Sequence, residues 1–193
     1  MTHRLLLIAP AISASLRAGR FDDGGSLDAA GVRAAQDAAG GVPLAERVLC
    51  SPSTRCRETA AGLGLTGVAV PELAGIDAGR WRGETAEEVG AREPQALAAW
   101  LSDPGAAPHG GESVREFCAR VEGWLETGAE LSGRTVAVVE PEVVRAVVVR
   151  VLGAPEGAFW RVDVAPLSGV EVSGRGGRWN LRVGRVLGGV EAG

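Results

Sequence analysis

The sequence predicts an α/β fold, a three-layer αβα sandwich with a largely parallel central sheet. Three observations predict it. Short apolar runs that read as strands alternate with longer segments of helical composition. The 193 residues are 46% hydrophobic and 23% charged, enough for one ordinary domain with its own core. No internal repeat and no linker interrupts the chain, so residues 1–183 read as a single domain followed by a loose, Gly-rich tail, 184–193.

The elements follow in order. Leu5 to Ile8 reads as a buried parallel strand. Ser13 to Ser26 carries Arg17, Arg20, Asp22, Asp23, Gly24 and Gly25 and reads as a loop. Asp28 is a candidate N-cap for a helix from Ala29 to about Ala39, closed by Gly40 and Gly41. Arg47 to Cys50 is a short strand ending at Ser51-Pro52. Thr54 to Leu63 is helical by composition, Val68 to Val70 a brief strand, and Gly75 to Gly83 a turn-rich loop around Trp81. Thr85 to Trp100 is helical with Pro94 interrupting it, and Asp103 to Gly111 is a loop. Ser113 to Glu126 is an amphipathic helix with Val114, Phe117, Val121 and Leu125 on one face. Thr135 to Val139 is a strand, and Val143 to Leu152 a helix despite its valines. Val162 to Val164 and Val170 to Val172 read as late strands, and Arg178 to Val183 completes a final hairpin.

Composition narrows function. The net charge of −4 argues against nucleic acid or an anionic membrane as the main partner. All 20 basic residues are Arg, the mark of a GC-rich, actinobacterial-type composition. The apolar start, Leu5 to Ile12, is too short to span a bilayer and is soon followed by Asp22 and Asp23, so a cytoplasmic protein is expected. Cys50, Cys56 and Cys118 have no metal-type spacing and read as free thiols. No cofactor and no metal is expected.

Five segments then carry a resemblance. They are the N-terminal strand with its loop and Ser26-Leu27-Asp28-Ala29-Ala30-Gly31; Ser51-Pro52-Ser53-Thr54-Arg55-Cys56-Arg57-Glu58-Thr59-Ala60; Leu73 to Gly83; Pro108-His109-Gly110-Gly111-Glu112-Ser113; and Val138-Val139-Glu140-Pro141-Glu142-Val143-Val144-Arg145-Ala146. In this order the chain resembles the histidine phosphatase superfamily, also called phosphoglycerate mutase-like, over roughly residues 4 to 183, and within it the α-ribazole phosphatase-like branch. The resemblance implies that fold and a phosphohistidine chemistry, with a histidine after the first strand attacking phosphorus.

The residues that would perform it differ. The Arg-His-Gly triplet position reads Ala9-Pro10-Ala11. The second histidine position falls on Glu140, or on Pro141 if one gap is allowed. The proton donor position falls on Gly75. Arg55 alone remains of the core machinery. Phosphohistidine chemistry needs an imidazole nucleophile, cationic clamps and an acid. The expectation is therefore a degenerate member with no catalytic residues at Ala9, Pro10, Gly75 and Glu140, in which Glu140 either faces the old phosphate site beside Arg55 and repels a dianion or pairs with Arg55 and fills the anion site from within.

Candidate ligand-binding residues are Arg55, Glu140, Ser13, Arg17, His109 and Glu112. Arg145, Arg17 and Arg20 are expected to keep the cleft mouth partly cationic. His109 reads either as a substitute catalyst at the pocket rim or as an exposed loop histidine. Glu140 and Glu142 form a weak metal signal. The Phe21 to Gly25 segment either closes over the pocket or is only a flexible loop. Three functions remain open: a pseudophosphatase acting as a ligand-sensing or protein-binding module, an enzyme repurposed for other chemistry in the same cleft, and a residual phosphatase or phosphomutase. The implied partner is an unknown small molecule or protein, a homodimer included.

Overall fold

The structure is a computed structural model that describes residues 2–128 and 131–183. The tail expected over 184–193 lies outside the described residues. Six strands, β1 (His3–Ile8), β2 (Arg47–Cys50), β3 (Val68–Ala69), β4 (Gly133–Val138), β5 (Gly169–Arg175) and β6 (Arg178–Arg182), form one sheet in the order β3-β2-β4-β1-β5-β6. The first four in that order run parallel, and β5 and β6 close the sheet as an antiparallel hairpin against β1. The helices are α1 (Ala14–Arg17), α2 (Ala29–Ala38), α3 (Thr54–Gly62), α4 (Ala86–Arg92), α5 (Pro94–Ser102), α6 (Val114–Thr127) and α7 (Pro141–Leu152).

The three layers follow from the two-residue period of the strands. Leu5 and Leu7 of β1 and Ala137 of β4 face a core built with α6 and α7, where Phe117, Val121 and Val147 are buried. Ile8, Val136 and Val138 face the opposite side, against Cys56, Ala60 and Leu63 of the α3 segment. Helix α6 starts at a capping box, Ser113 and Glu116 each serving the other's backbone N–H. Helix α7 holds together although valine is a weak helix former, because six of its residues are buried; it stops at Gly153, whose φ of +60° is the left-handed C-cap conformation. A third cluster, Ala78, Trp81, Val89 and Trp100, lies under α4 and α5. Pro94 starts α5 at its first turn and so divides the Thr85–Trp100 region into two helices.

Two expectations need correction. The Ser13–Ser26 segment contains the short helix α1, because the Ser13 hydroxyl accepts from Leu16 N–H and caps it. Val162–Val164 is not a strand. Its alternating half-buried valines imitate the period of one, but the chain there leaves a six-residue 3₁₀ segment, Glu156–Arg161, and the Val162 carbonyl accepts from Arg145 Nε at 2.9 Å. Among the described residues no helix is long and apolar enough to cross a membrane.

Candidate functional site

In an open parallel sheet, ligands bind beyond the carboxyl ends of the strands. Three segments meet at that edge here: Ala9-Pro10 after β1, Ser51 to Arg55 after β2, and Val139-Glu140 after β4. Ser51 N–H donates to the Val138 carbonyl at 2.8 Å, and Val139 N–H to the Ile8 carbonyl at 2.9 Å, so the segments leave the sheet in register. Ser53 caps α3 by accepting from Cys56 N–H, which sets Arg55 in the first turn. Glu140 is the N-cap residue of α7, and Pro141 opens the helix. That placement settles which of Glu140 and Pro141 enters the pocket: the Glu140 side chain lies inside, with no exposed surface.

Arg55 and Glu140 form a buried fork. Arg55 Nε donates to Oε1 at 3.0 Å and to Oε2 at 2.8 Å, and Nη2 lies 2.6 Å from Oε2. Arg55 is 3% exposed. Burial works against its charge, but the hydrogen bonds and charge of Glu140, aided by Asp22 and Glu142, outweigh that and raise its pKa. The fork thus joins a guanidinium and a carboxylate by charge-assisted hydrogen bonds away from water. Gly75 borders it, since a Cβ at Gly75 would stand 3.2 Å from Glu140 Cγ. Thr59 ties the arrangement to β1: its hydroxyl donates to the Arg55 carbonyl at 2.7 Å and accepts from Ala11 N–H at 3.0 Å. Pro10 is held from the other side, its carbonyl accepting from Leu167 N–H at 3.2 Å.

More carboxylates surround the fork. Asp22 Oδ1 lies 3.6 Å from Arg55 Nη1, so the Phe21–Gly25 segment brings a carboxylate to Arg55. Asp23 is clasped by Ser15, whose hydroxyl is 2.8 Å from both of its carboxylate oxygens; that bond, with Gly25 N–H, lowers the Asp23 pKa. Glu142 has one buried carboxylate oxygen without a hydrogen-bond partner, and burial followed by the Glu140 charge raises its pKa. No group of three His, Cys, Asp or Glu among the described residues is arranged to hold a metal ion. Burial pushes the Cys50 thiol up to about 11 and Cys56 well above its usual value, against the pull of nearby Arg57 and Arg55. Both shifts disfavour the thiolate, the form that attacks.

Several expected site residues are engaged elsewhere. Ser13 caps α1 and bridges to Leu27. Arg17 pairs with Asp28 at 2.7 Å. Arg20 donates to the Gly83 carbonyl and pairs with Glu88. Arg145, besides its bond to Val162, stacks over Phe159 and Trp160. Each of these three guanidiniums has partners of its own: Arg17 and Arg20 pair with carboxylates, and Arg145 bonds a carbonyl and lies over two rings. Glu112 takes two bonds from Arg120, at 2.8 and 2.7 Å, and one from Asp77 N–H. Arg120 also reaches the carbonyls of Glu72, Ala74 and Gly75. Glu112 thus braces the loop that carries Gly75.

His109 departs most from expectation. It is neither at the rim nor exposed, but 2% exposed, with ring centroids 4.8 Å from Trp81 and 5.1 Å from Trp100. Two glycines fold its loop inward. A Cβ on Gly111 would sit 2.0 Å from the Asp77 carbonyl, and one on Gly79 2.3 Å from the His109 carbonyl, so only glycine permits this backbone contact. His109 Nδ1 accepts from Gly111 N–H. The other histidine, His3, bonds the Thr135 hydroxyl and the Gly128 carbonyl at the start of β1, the opposite edge of the sheet from Arg55. Both histidines are thus built into the framework.

Burial lowers the pKa of both imidazoles. A lowered folded-state value means stability is complete above the unfolded pKa of about 6.5 and is lost as pH falls below it. Urea unfolding from about pH 7.5 down to about pH 5 should show that decline, and His109→Gln should flatten it. A pH-independent contribution from His109 would contradict the buried neutral ring.

Comparison with known proteins follows from this geometry. A family model described as Histidine phosphatase superfamily (branch 1) matches residues 22–185. No curated protein sequence matches the chain. Among solved structures, a mycobacterial glucosyl-3-phosphoglycerate phosphatase in complex with VO3 is 25% identical, with 93% of this chain and 97% of that one covered and a TM-score of 0.82. A protein from Thermus thermophilus is 31% identical over 88% of this chain and 92% of that one, with a TM-score of 0.71. The alpha-ribazole phosphatase from Shigella flexneri shares the fold, with 23% identity, 93% of this chain and 95% of that one covered, and a TM-score of 0.81.

Proposed function

We propose that this chain, which belongs to the histidine phosphatase superfamily (branch 1), is a non-catalytic member of it: a pseudophosphatase that serves as a ligand-sensing or protein-binding module. The observation that carries this reading is the buried Arg55–Glu140 fork. A carboxylate occupies the donors that a phosphate would need. The absence of an imidazole from this edge supports the same reading, because the chain has two histidines, one at the start of β1 and one packed between Trp81 and Trp100. Pro10 and Ala9 supply neither nucleophile nor clamp, and Gly75 supplies no acid. Losing one clamp weakens a transition state, whereas losing the nucleophile removes the covalent route.

The competing reading is a working phosphatase, and the names of the similar solved structures favour it. It would need another nucleophile beside Arg55, and the raised thiol pKa values of Cys50 and Cys56 speak against these two. Turnover of p-nitrophenyl phosphate separates the readings. The expected result is none above background in the wild type. Turnover abolished by Arg55→Ala would overturn the proposal. The combined variant A9R, P10H and E140H tests whether the scaffold can still be returned to phosphate chemistry.

A further inference from the structure

Resting on the reading that the pocket is filled from within, we propose that Asp22 is a tethered carboxylate ligand of Arg55. Residues 22–26 then form a latch, and the ligand that opens it is a carboxylate monoanion rather than a phosphate. Arg55 presents two donor edges. Glu140 saturates the Nε and Nη2 edge. Nη1 is buried and makes no hydrogen bond, although Arg55 is 3% exposed. The acid facing it is Asp22, at 3.6 Å, which is ion-pair range but too long for a hydrogen bond. A buried donor is thus aimed at a carboxylate that does not quite reach it, the geometry of a site with a weak internal occupant.

The latch has two firm ends and a lightly held middle. Phe21 N–H donates to the Glu84 carbonyl, and the Phe21 carbonyl accepts from Gly83 N–H. At the other end Leu27 N–H donates to Glu58, and Leu27 bridges to Ser13. Between these anchors the amides of Gly24 and Gly25 bond only the side chains of Asp22 and Asp23 within the same segment. The Ser15–Asp23 clasp and the Arg55–Asp22 ion pair hold it down.

Charge selects the ligand. The Arg55 charge is already matched by Glu140. Exchanging Asp22 for an external carboxylate leaves the balance unchanged, one monoanion leaving as another enters. A phosphate dianion would add a second negative charge against Glu140 and find only one free donor edge.

The test is titration of the ¹⁵N-labelled full chain with acetate, and separately with inorganic phosphate at matched ionic strength, following the Gly24 and Gly25 amides. Acetate is expected to shift both amides in the wild type. It should bind about tenfold more tightly to Asp22→Asn, where the intramolecular competitor is gone. Ser15→Ala loosens the latch without touching Arg55 and should tighten acetate binding in the same direction. Unchanged acetate affinity in both variants overturns the latch. Phosphate binding more tightly than acetate to Asp22→Asn overturns the ligand class. Saturable phosphate binding to the wild type would overturn the proposal through its premise, and is told apart from the other failures because it needs no variant.

Discussion

Glu140→Ala should lower the free energy of unfolding by about 3–5 kcal/mol, the cost of stranding one member of a buried ion pair. The size follows from the surroundings. Glu140 has no exposed surface and Arg55 almost none, so water cannot replace the lost carboxylate. Asp22 stands on the wrong edge of the guanidinium to take over Nε and Nη2. Glu140→Gln should cost less, because an amide oxygen still accepts from Nε. Replacing both partners, Arg55→Met with Glu140→Leu, should recover most of the loss, since apolar residues of similar volume need no compensating charge. Urea titration of the wild type, Arg55→Met, Glu140→Leu and the double variant gives the cycle, with Glu140→Ala and Glu140→Gln measured beside it. A single-variant loss below about 1 kcal/mol would mean the pair behaves as a solvated surface bridge.

The second large effect concerns affinity. Glu140→Gln should turn the pocket into a phosphate site, with binding at least about 100-fold tighter than in the wild type. Two unit charges about 4 Å apart interact by about 4 kcal/mol at an effective dielectric of 20. Exchanging the carboxylate for an amide ends that repulsion and leaves Nη2 of Arg55 without its charged partner, while one amide oxygen stays on Nε. Partial solvent entry reduces the gain, and about 2.7 kcal/mol is enough for a factor of about 100. Isothermal titration with inorganic phosphate measures it. Equal affinity in the two proteins would show that Glu140 does not control access to Arg55.

Much of this architecture is legible in the residues, for reasons that differ between elements. The strands β1 and β4 are apolar on both faces, because helices cover both, and so they read as unbroken runs. Helix α6 shows its buried face at helical spacing, and its capping box marks its start. Helix α7 is legible only through its length and its arginines, since burial on nearly all sides removes the amphipathic signal and valine suggests a strand. The Val162–Val164 error has the same root: alternation reports which side chains are half-buried, not where the backbone hydrogen bonds go.

The candidate site divides in the same way. The Arg55–Glu140 pairing is within reach of sequence reasoning, because Glu140 stands two residues after β4 and Arg55 in the first turn of the helix that follows β2. Thr59 stands one helical turn beyond Arg55, a spacing that could have shown its part in the site. The fates of Arg20 and Arg145 depend on partners in later segments, Glu88 and Val162, and no local pattern reveals them. The position of His109 is hidden from sequence reasoning because its burial depends on backbone contact at Gly79 and Gly111, together with two tryptophans from different segments. The Phe21–Gly25 segment leaves both closure and a loop open in the sequence, because nothing local shows Asp22 facing Arg55.

The most direct measurement of the central claim is a crystal structure of the wild-type chain soaked in phosphate. The account predicts density for the Glu140 carboxylate on Nε and Nη2 of Arg55 and no tetrahedral anion between them. A tetrahedral anion bound to Arg55, with Glu140 swung out of the pocket, would contradict it.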